Sequence, residues 1–283
     1  MMEAVKTGPD DLAGAAMNPQ HLELLPLAQP GPLTEMERFM WECWGYLLIN
    51  DVLTEAECDE ALEASKRIHG NQPAPKFRSI GRAFETEPAL ERLIDHPAVF
   101  PKVRALYNDR FVLQSTWCTV QPAYGKQGTW HQDGSNDSAF GALSYPQPLI
   151  QLRVSFALTD QSEAHSGNML MIPGSHRSPL PLPKAATKQT YASPIQHIVR
   201  VKRGAVLMFH NGVWHAAMDS HLDYDRYNMH FVYSPPWLRR ADRDATDPAW
   251  LARTTPVRRA LAGDFDNPEA PFAGPLPAIP FED

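Results

Sequence analysis

The sequence predicts a mainly β protein with flanking helices, built as one large domain behind a flexible lead-in. Three observations carry this. Helix signals are concentrated in roughly the first 110 residues. From Phe111 onward, short apolar runs at 111–121, 149–158, 168–172, 197–202, 205–210 and 226–234 alternate with turns rich in Gly, Pro and Asp, as in a β-sandwich or barrel. The chain has 283 residues, 43% hydrophobic and 21% charged, enough to bury a full globular core.

Residues 1–32 mix Gly, Pro, Asn and Asp without clear periodicity and read as a flexible N-terminal lead-in. A single domain follows, over 33–283. Its first part, 33–110, is helical. Thr34 and Glu37 have capping-box spacing, and Met36, Phe39, Met40, Cys43 and Trp44 follow as an apolar stripe that Gly45 terminates. Tyr46–Ile49 reads as a short strand. Thr54 with Glu57 repeats the capping signal and opens a helix through about Ile68, and two shorter helices fit 87–94 and 98–107. The β core occupies 111–237. A C-terminal extension, 238–283, is irregular except where Asp247 and Pro248 suit the N-cap and first turn of a short helix. The last ten residues carry Pro275, Pro277 and Pro280 and read as an extended tail.

Composition narrows the partners. A formal charge of −7 with no cluster of Lys or Arg argues against nucleic acid and against an anionic membrane surface. There is no basic-then-apolar leader and no 18-residue apolar run. Cys43, Cys58 and Cys118 lack CxxC or framework spacing, so a reducing, cytoplasmic setting is expected. A small-molecule partner remains.

The chemistry concentrates in Thr129-Trp130-His131-Gln132-Asp133-Gly134, followed far downstream by Trp214-His215 and Arg226. On a strand, residues i and i+2 point to the same side, so His131 and Asp133 can reach one ion. Two imidazoles and one carboxylate hold Fe(II) on one octahedral face and leave the other open for co-substrate and O2. Residue type alone leaves the second histidine open among His210, His215, His221 and His230. An HExxH helix is absent, which weighs against a zinc protease. An arginine shortly after the second histidine suits an acidic co-substrate.

These segments resemble the phytanoyl-CoA dioxygenase family of Fe(II)/2-oxoglutarate oxygenases. GYLLINDVLTEAECDEAL (45–62), WHQDGS (130–135), FALTDQSEAHSGNMLMIPGSH (156–176), RGAVLMFHNGVWHAA (203–217) and DRYNMHFVY (225–233) match in order, and the resemblance spans about 45–237. It implies a double-stranded β-helix, the jelly-roll of cupins, with the N-terminal helices packed outside. It implies that His131, Asp133 and His215 bind Fe(II) and serve as the catalytic centre. Arg226 then holds the distal carboxylate of 2-oxoglutarate, and Gln132 makes a further co-substrate contact. The implied activity is hydroxylation of an unactivated C–H bond in a small metabolite or natural-product intermediate, consuming O2 and releasing succinate and CO2. Alternatives on the same fold are a non-catalytic small-molecule binding module and a cupin-like metal-dependent isomerase or lyase.

Two positions depart from the family pattern. Ala217 stands where a Ser or Thr often contacts 2-oxoglutarate, leaving Thr119 or Ser155 to supply a hydroxyl. Ala205 replaces an Asp that often follows the turn glycine. Asp133 is present, whereas related halogenases carry Gly or Ala there, so halogenation is disfavoured. Of the remaining residues, His165 reads as solvated and His176 as a turn residue. His230 and Arg153 are each open to facing the pocket or away from it. Trp117, Trp130, Phe140 and Trp214 read mostly as β-core packing, with one or two available to wall a pocket. Residues 134–145 read as a lid or substrate loop.

Overall fold

The structure is a computed structural model that describes residues 25–134, 146–189 and 191–263. The lid-like 135–145 stretch with Phe140, residues 1–24 and the proline-bearing tail lie outside the described residues. Among the described residues, ten strands form two sheets. They are β1 (Leu27–Ala28), β2 (Tyr46–Ile49), β3 (Arg78–Ile80), β4 (Val112–Gln121), β5 (Leu152–Ala157), β6 (Met169–Met171), β7 (His197–Val199), β8 (Val206–His210), β9 (His215–Ala217) and β10 (Arg226–Ser234). Seven strands run in the order β1-β2-β8-β5-β10-β4-β3, and three in the order β7-β6-β9. All neighbours are antiparallel except the β1–β2 pair. Two facing sheets with helices outside the larger one give the jelly-roll that the resemblance implied.

Side-chain alternation divides the core into layers. Leu47 and Ile49, Val154 and Phe156, Val206 and Met208, and Met229 and Phe231 face outward from the large sheet into the helices. Their alternates Tyr46, Leu48, Ala157, Leu207 and Phe209 meet Met171 and Val199 of the small sheet. Trp130, Leu170, Trp214 and Ala216 cover the outer side of the small sheet. This period of two is what an apolar-rich strand buried on both faces still obeys, and it fixes which residues can look into the space between the sheets.

The helices form where the capping signals stand. Thr34 and Thr54 each complete a reciprocal capping box, opening α1 (Glu35–Trp44) and α2 (Glu55–His69). Gly45 closes α1 in the left-handed region at φ 77°, and a Cβ there would collide with His176 and Val213. The helices α3 (Pro88–Glu91) and α4 (Phe100–Tyr107) follow. In the extension, α5 (Pro248–Arg253) starts at the Asp247 cap, and α6 (Pro256–Leu261) was not foreseen. Both dock on the helical layer. Trp250 packs edge-on against Phe84, and Glu91 accepts bonds from Arg253, Thr254 and Arg258.

One expectation fails in α1. Of the apolar stripe, Met36 and Phe39 are 65% and 63% exposed and Cys43 is exposed, whereas Glu37 and Trp41 are buried. The cause is electrostatic. Lys102 of α4, fully buried, donates to Glu37 at 2.6 Å and to the Pro32 carbonyl at 2.9 Å. The same carboxylate accepts from the Gln29 and Thr34 amides. This pair turns the Glu37–Trp41 line inward and pins residues 29–34, so the later part of the expected lead-in is ordered. Removing one partner of such a pair leaves an uncompensated buried charge. Lys102→Met is therefore expected to cost about 3 kcal/mol in denaturant unfolding, with most of the loss recovered in a double variant that also carries Glu37→Gln.

Candidate active site

A cavity of about 420 Å³ opens between the two sheets; Arg153, His215, Arg226 and His230 reach its described wall from strands, and His131 and Asp133 from the segment bridged to β9. His131 and His215 sit directly opposite one another at the edge of the small sheet. Each donates its backbone N–H to the other's carbonyl at 2.9 Å. This pairing and the i, i+2 spacing of His131 and Asp133 place three side chains on one face. Their potential ligand atoms all lie within 4.8 Å of one another.

The hydrogen bonds prepare these atoms for a cation. Nδ1 of His131 lies 2.9 Å from the Thr129 carbonyl, and Nδ1 of His215 lies 2.8 Å from the Val213 carbonyl. A carbonyl can only accept, so both Nδ1 atoms carry the proton and both Nε2 lone pairs are free. Those Nε2 atoms stand 4.0 and 3.7 Å from the same oxygen, Oδ1 of Asp133. Burial, reinforced by neighbouring His131, lowers the His215 pKa to about 4, so it is neutral at pH 7. Burial raises the Asp133 pKa, but Arg153 and the two histidines outweigh it and hold the carboxyl below its ordinary value. Two lone pairs and an anionic oxygen converging in a buried space are mutually repulsive until a divalent cation sits among them. The residues present fit Fe(II).

Arg226 opens β10 at the other end of the cavity. It is 6% exposed, and no carboxylate among the described residues pairs with it. Nη1 donates to the Gln161 amide oxygen at 3.1 Å, and its buried Nε finds no acceptor. Burial pulls its pKa down to about 10, so the guanidinium stays charged at neutral pH. The loop above it can approach only because residue 167 is glycine. At φ 70°, a Cβ there would lie 3.1 Å from Arg226 Nε and 2.4 Å from the Gln121 amide oxygen.

Strand parity settles the residues that the sequence left open. His230 is four positions past Arg226, hence on the same face. It lines the cavity, with Nε2 3.1 Å from the Thr119 hydroxyl and Nδ1 buried without a partner. Arg153 also faces inward and donates from Nε to Asp133 Oδ2 at 3.0 Å. Of the two candidate hydroxyls, Thr119 lines the cavity and Ser155 does not. His210 is even-numbered on β8, with Val206 and Met208, and faces Trp41 of α1 rather than the cavity. His176 is buried beside it, 5.1 Å between ring centroids. Trp130 and Trp214 pack outside the small sheet, so among the described tryptophans only Trp117 walls the cavity.

Gln132 lies away from these groups. It falls between two inward-facing ligands and so points to the opposite side, buried, with its amide donating to the Gly212 carbonyl at 2.6 Å. It is not among the described residues that line the cavity. Gln132 instead ties the HxD segment to the turn before His215. His165, read as solvated, bonds Asp219 at 2.9 Å and stacks on His221 at 4.4 Å. Ser79 and Phe77, in and beside β3, also line the cavity, although β3 gave no strand signal.

Comparison with known proteins agrees with this geometry. A family model described as phytanoyl-CoA dioxygenase matches residues 41–227. The chain belongs to the phytanoyl-CoA dioxygenase family. It is thus an iron- and 2-oxoglutarate-dependent oxygenase. Ectoine dioxygenase of Streptomyces avermitilis is 22% identical over 264 residues, covering 81% of this chain and 85% of that protein. Phytanoyl-CoA dioxygenase domain-containing protein 1 of Mus musculus is 26% identical over 194 residues, covering 59% and 63%. Among solved structures, HygX from Streptomyces hygroscopicus, with nickel and 2-oxoglutarate bound, superposes with a TM-score of 0.62 at 17% identity, covering 79% of this oxygenase and 95% of HygX. EctD from S. alaskensis in its apoform gives 0.60 at 19% identity, covering 75% and 80%. These two likenesses speak to the jelly-roll alone.

Proposed function

We propose that this oxygenase hydroxylates an unactivated C–H bond of a small metabolite or natural-product intermediate, converting 2-oxoglutarate and O2 to succinate and CO2. His131, Asp133 and His215 would hold Fe(II), which when bound supplies the activation of O2 coupled to decarboxylation of the 2-oxo acid. The observation that carries the reading is Arg226. A guanidinium buried in the same cavity as the three convergent ligand atoms, with no carboxylate among the described residues to meet it, is costly without a bound anion. The distal carboxylate of 2-oxoglutarate is an anion of the right shape for its two-pronged donor face.

The protein's own part is orientation and exclusion of water. The carbonyl-bonded Nδ1 atoms hold both imidazoles in the ligating tautomer. Trp117, Met169 and Phe209 give the cavity apolar walls. Thr119 lies opposite Asn228 on β10, between the levels of Arg226 and His230, and takes the place of the hydroxyl missing at Ala217. Thr119→Val is expected to raise KM for 2-oxoglutarate about tenfold or more with kcat little changed, the loss of one hydrogen bond to a charged group. The whole reading is tested by supplying Fe(II), 2-oxoglutarate and O2 with a panel of small metabolites. Substrate-stimulated succinate with one hydroxyl gained by the substrate is expected, and a stimulated product without succinate would contradict it.

A further inference from the structure

Arg153 is, beside Arg226, a second charged group on the described cavity wall whose donors are not all used. Its Nε is committed to Asp133 Oδ2, its guanidinium lies 5.7 Å from the centre of the Phe209 ring, and its two terminal nitrogens make no hydrogen bond to any described residue. Arg153 borders the same cavity as the three candidate metal ligands. A guanidinium with its terminal edge open presents two parallel donors spaced for a carboxylate.

Charge points the same way. The described wall carries two arginines and one carboxylate, Asp133. On the functional reading, Fe(II) and the 2-oxoglutarate dianion balance one another, and Asp133 balances a single arginine. One positive charge is left over in a space that substrate binding dehydrates, and an unmatched charge there is expensive. Phe209 lies against Arg153, and Trp117, Met169 and the exposed Phe77 add apolar surface to the same wall.

We infer that the substrate is a monocarboxylic acid with an apolar body, and that Arg153 grips its carboxylate while its Nε keeps Asp133 in place. This rests on the proposed iron and 2-oxoglutarate site and adds the class of molecule that it oxidises. Asp133 and the substrate would then share one guanidinium, which fixes the acid group close to the metal.

The test uses the full chain loaded anaerobically with Fe(II) and saturating 2-oxoglutarate. Calorimetric titrations compare acids with their neutral amides, from butyrate and butyramide to 3-phenylpropionate and 3-phenylpropionamide. A visible metal-to-ligand band before any acid is added checks the underlying site; its absence would undo that reading and not the choice between acid and amide. With the band present, at least one acid is expected to bind about tenfold or more tightly than its amide. Arg153→Lys, which keeps the charge and loses the fork, should narrow that ratio, and Arg153→Gln should erase it. The ratio is the readout, because a general loosening around Asp133 weakens acid and amide alike. No acid preference in the wild type, or the wild-type ratio retained in Arg153→Gln, would overturn the inference. If Arg153→Gln binds neither ligand, an unchanged ratio in Arg153→Lys overturns it.

Discussion

Replacing Asp133 or His215 with Ala is expected to abolish 2-oxoglutarate turnover, lowering kcat at least about 10³-fold, a loss of several kcal/mol of transition-state stabilisation. The two substitutions differ in their side effects. Asp133→Ala removes the carboxylate that both Nε2 atoms face and frees the Arg153 Nε. It therefore abolishes metal binding and leaves a half-buried positive charge without its partner. His215→Ala leaves the backbone pairing with His131 intact and opens a cavity beside Phe209, 5.0 Å away between ring centroids. Both variants should stay folded, because the core between the sheets is built from Tyr46, Leu48, Leu207 and Phe209 rather than from the ligands. Succinate formation with circular dichroism as a control separates the outcomes. Undiminished succinate from either variant would remove these residues from the metal site.

Arg226→Met is expected to raise KM for 2-oxoglutarate several hundredfold, since a buried two-pronged charge contact contributes about 3–4 kcal/mol. The same substitution should leave the unliganded protein no less stable and raise its stability by about 1 kcal/mol. The guanidinium is buried with its Nε unsatisfied and no described carboxylate against it, and a linear apolar side chain of similar length removes that cost. An arginine retained for the fold alone predicts the opposite sign. Arg226→Lys should recover only part of the affinity, because Lys lacks the planar fork. Steady-state kinetics and thermal unfolding without co-substrate, run on the same preparations, give both numbers.

Local signals with a one-residue mechanism were legible in the sequence. The two capping boxes, the glycine stop and the longer strands appear where propensity and spacing put them. The candidate ligands were legible because HxD needs nothing beyond strand alternation. Features set by partners distant in sequence were not. The buried side of α1 depends on Lys102, 65 residues away from Glu37, and no periodicity in the helix reports it. The short strands β3 and β9 owe their state to pairing with β4 and β6 rather than to their own residues. Parity along β8 and β10 could have turned His210 outward and His230 inward, given the strand and one anchor. Gln132, between the two candidate ligands, is not among the described cavity-lining residues and donates to the Gly212 carbonyl. Arg153 carried a readable signal, a lone charge in an apolar strand, but its partner Asp133 belongs to a segment outside the named strands.

Anaerobic titration of the full chain with Fe(II) and then 2-oxoglutarate tests the central claim most directly. One Fe(II) and one 2-oxoglutarate per chain, with a visible charge-transfer band that requires both and is missing in Asp133→Ala, is the predicted result. Binding of 2-oxoglutarate that is indifferent to Fe(II), or a band that persists without Asp133, would contradict the assignment of His131, Asp133, His215 and Arg226 to a single site.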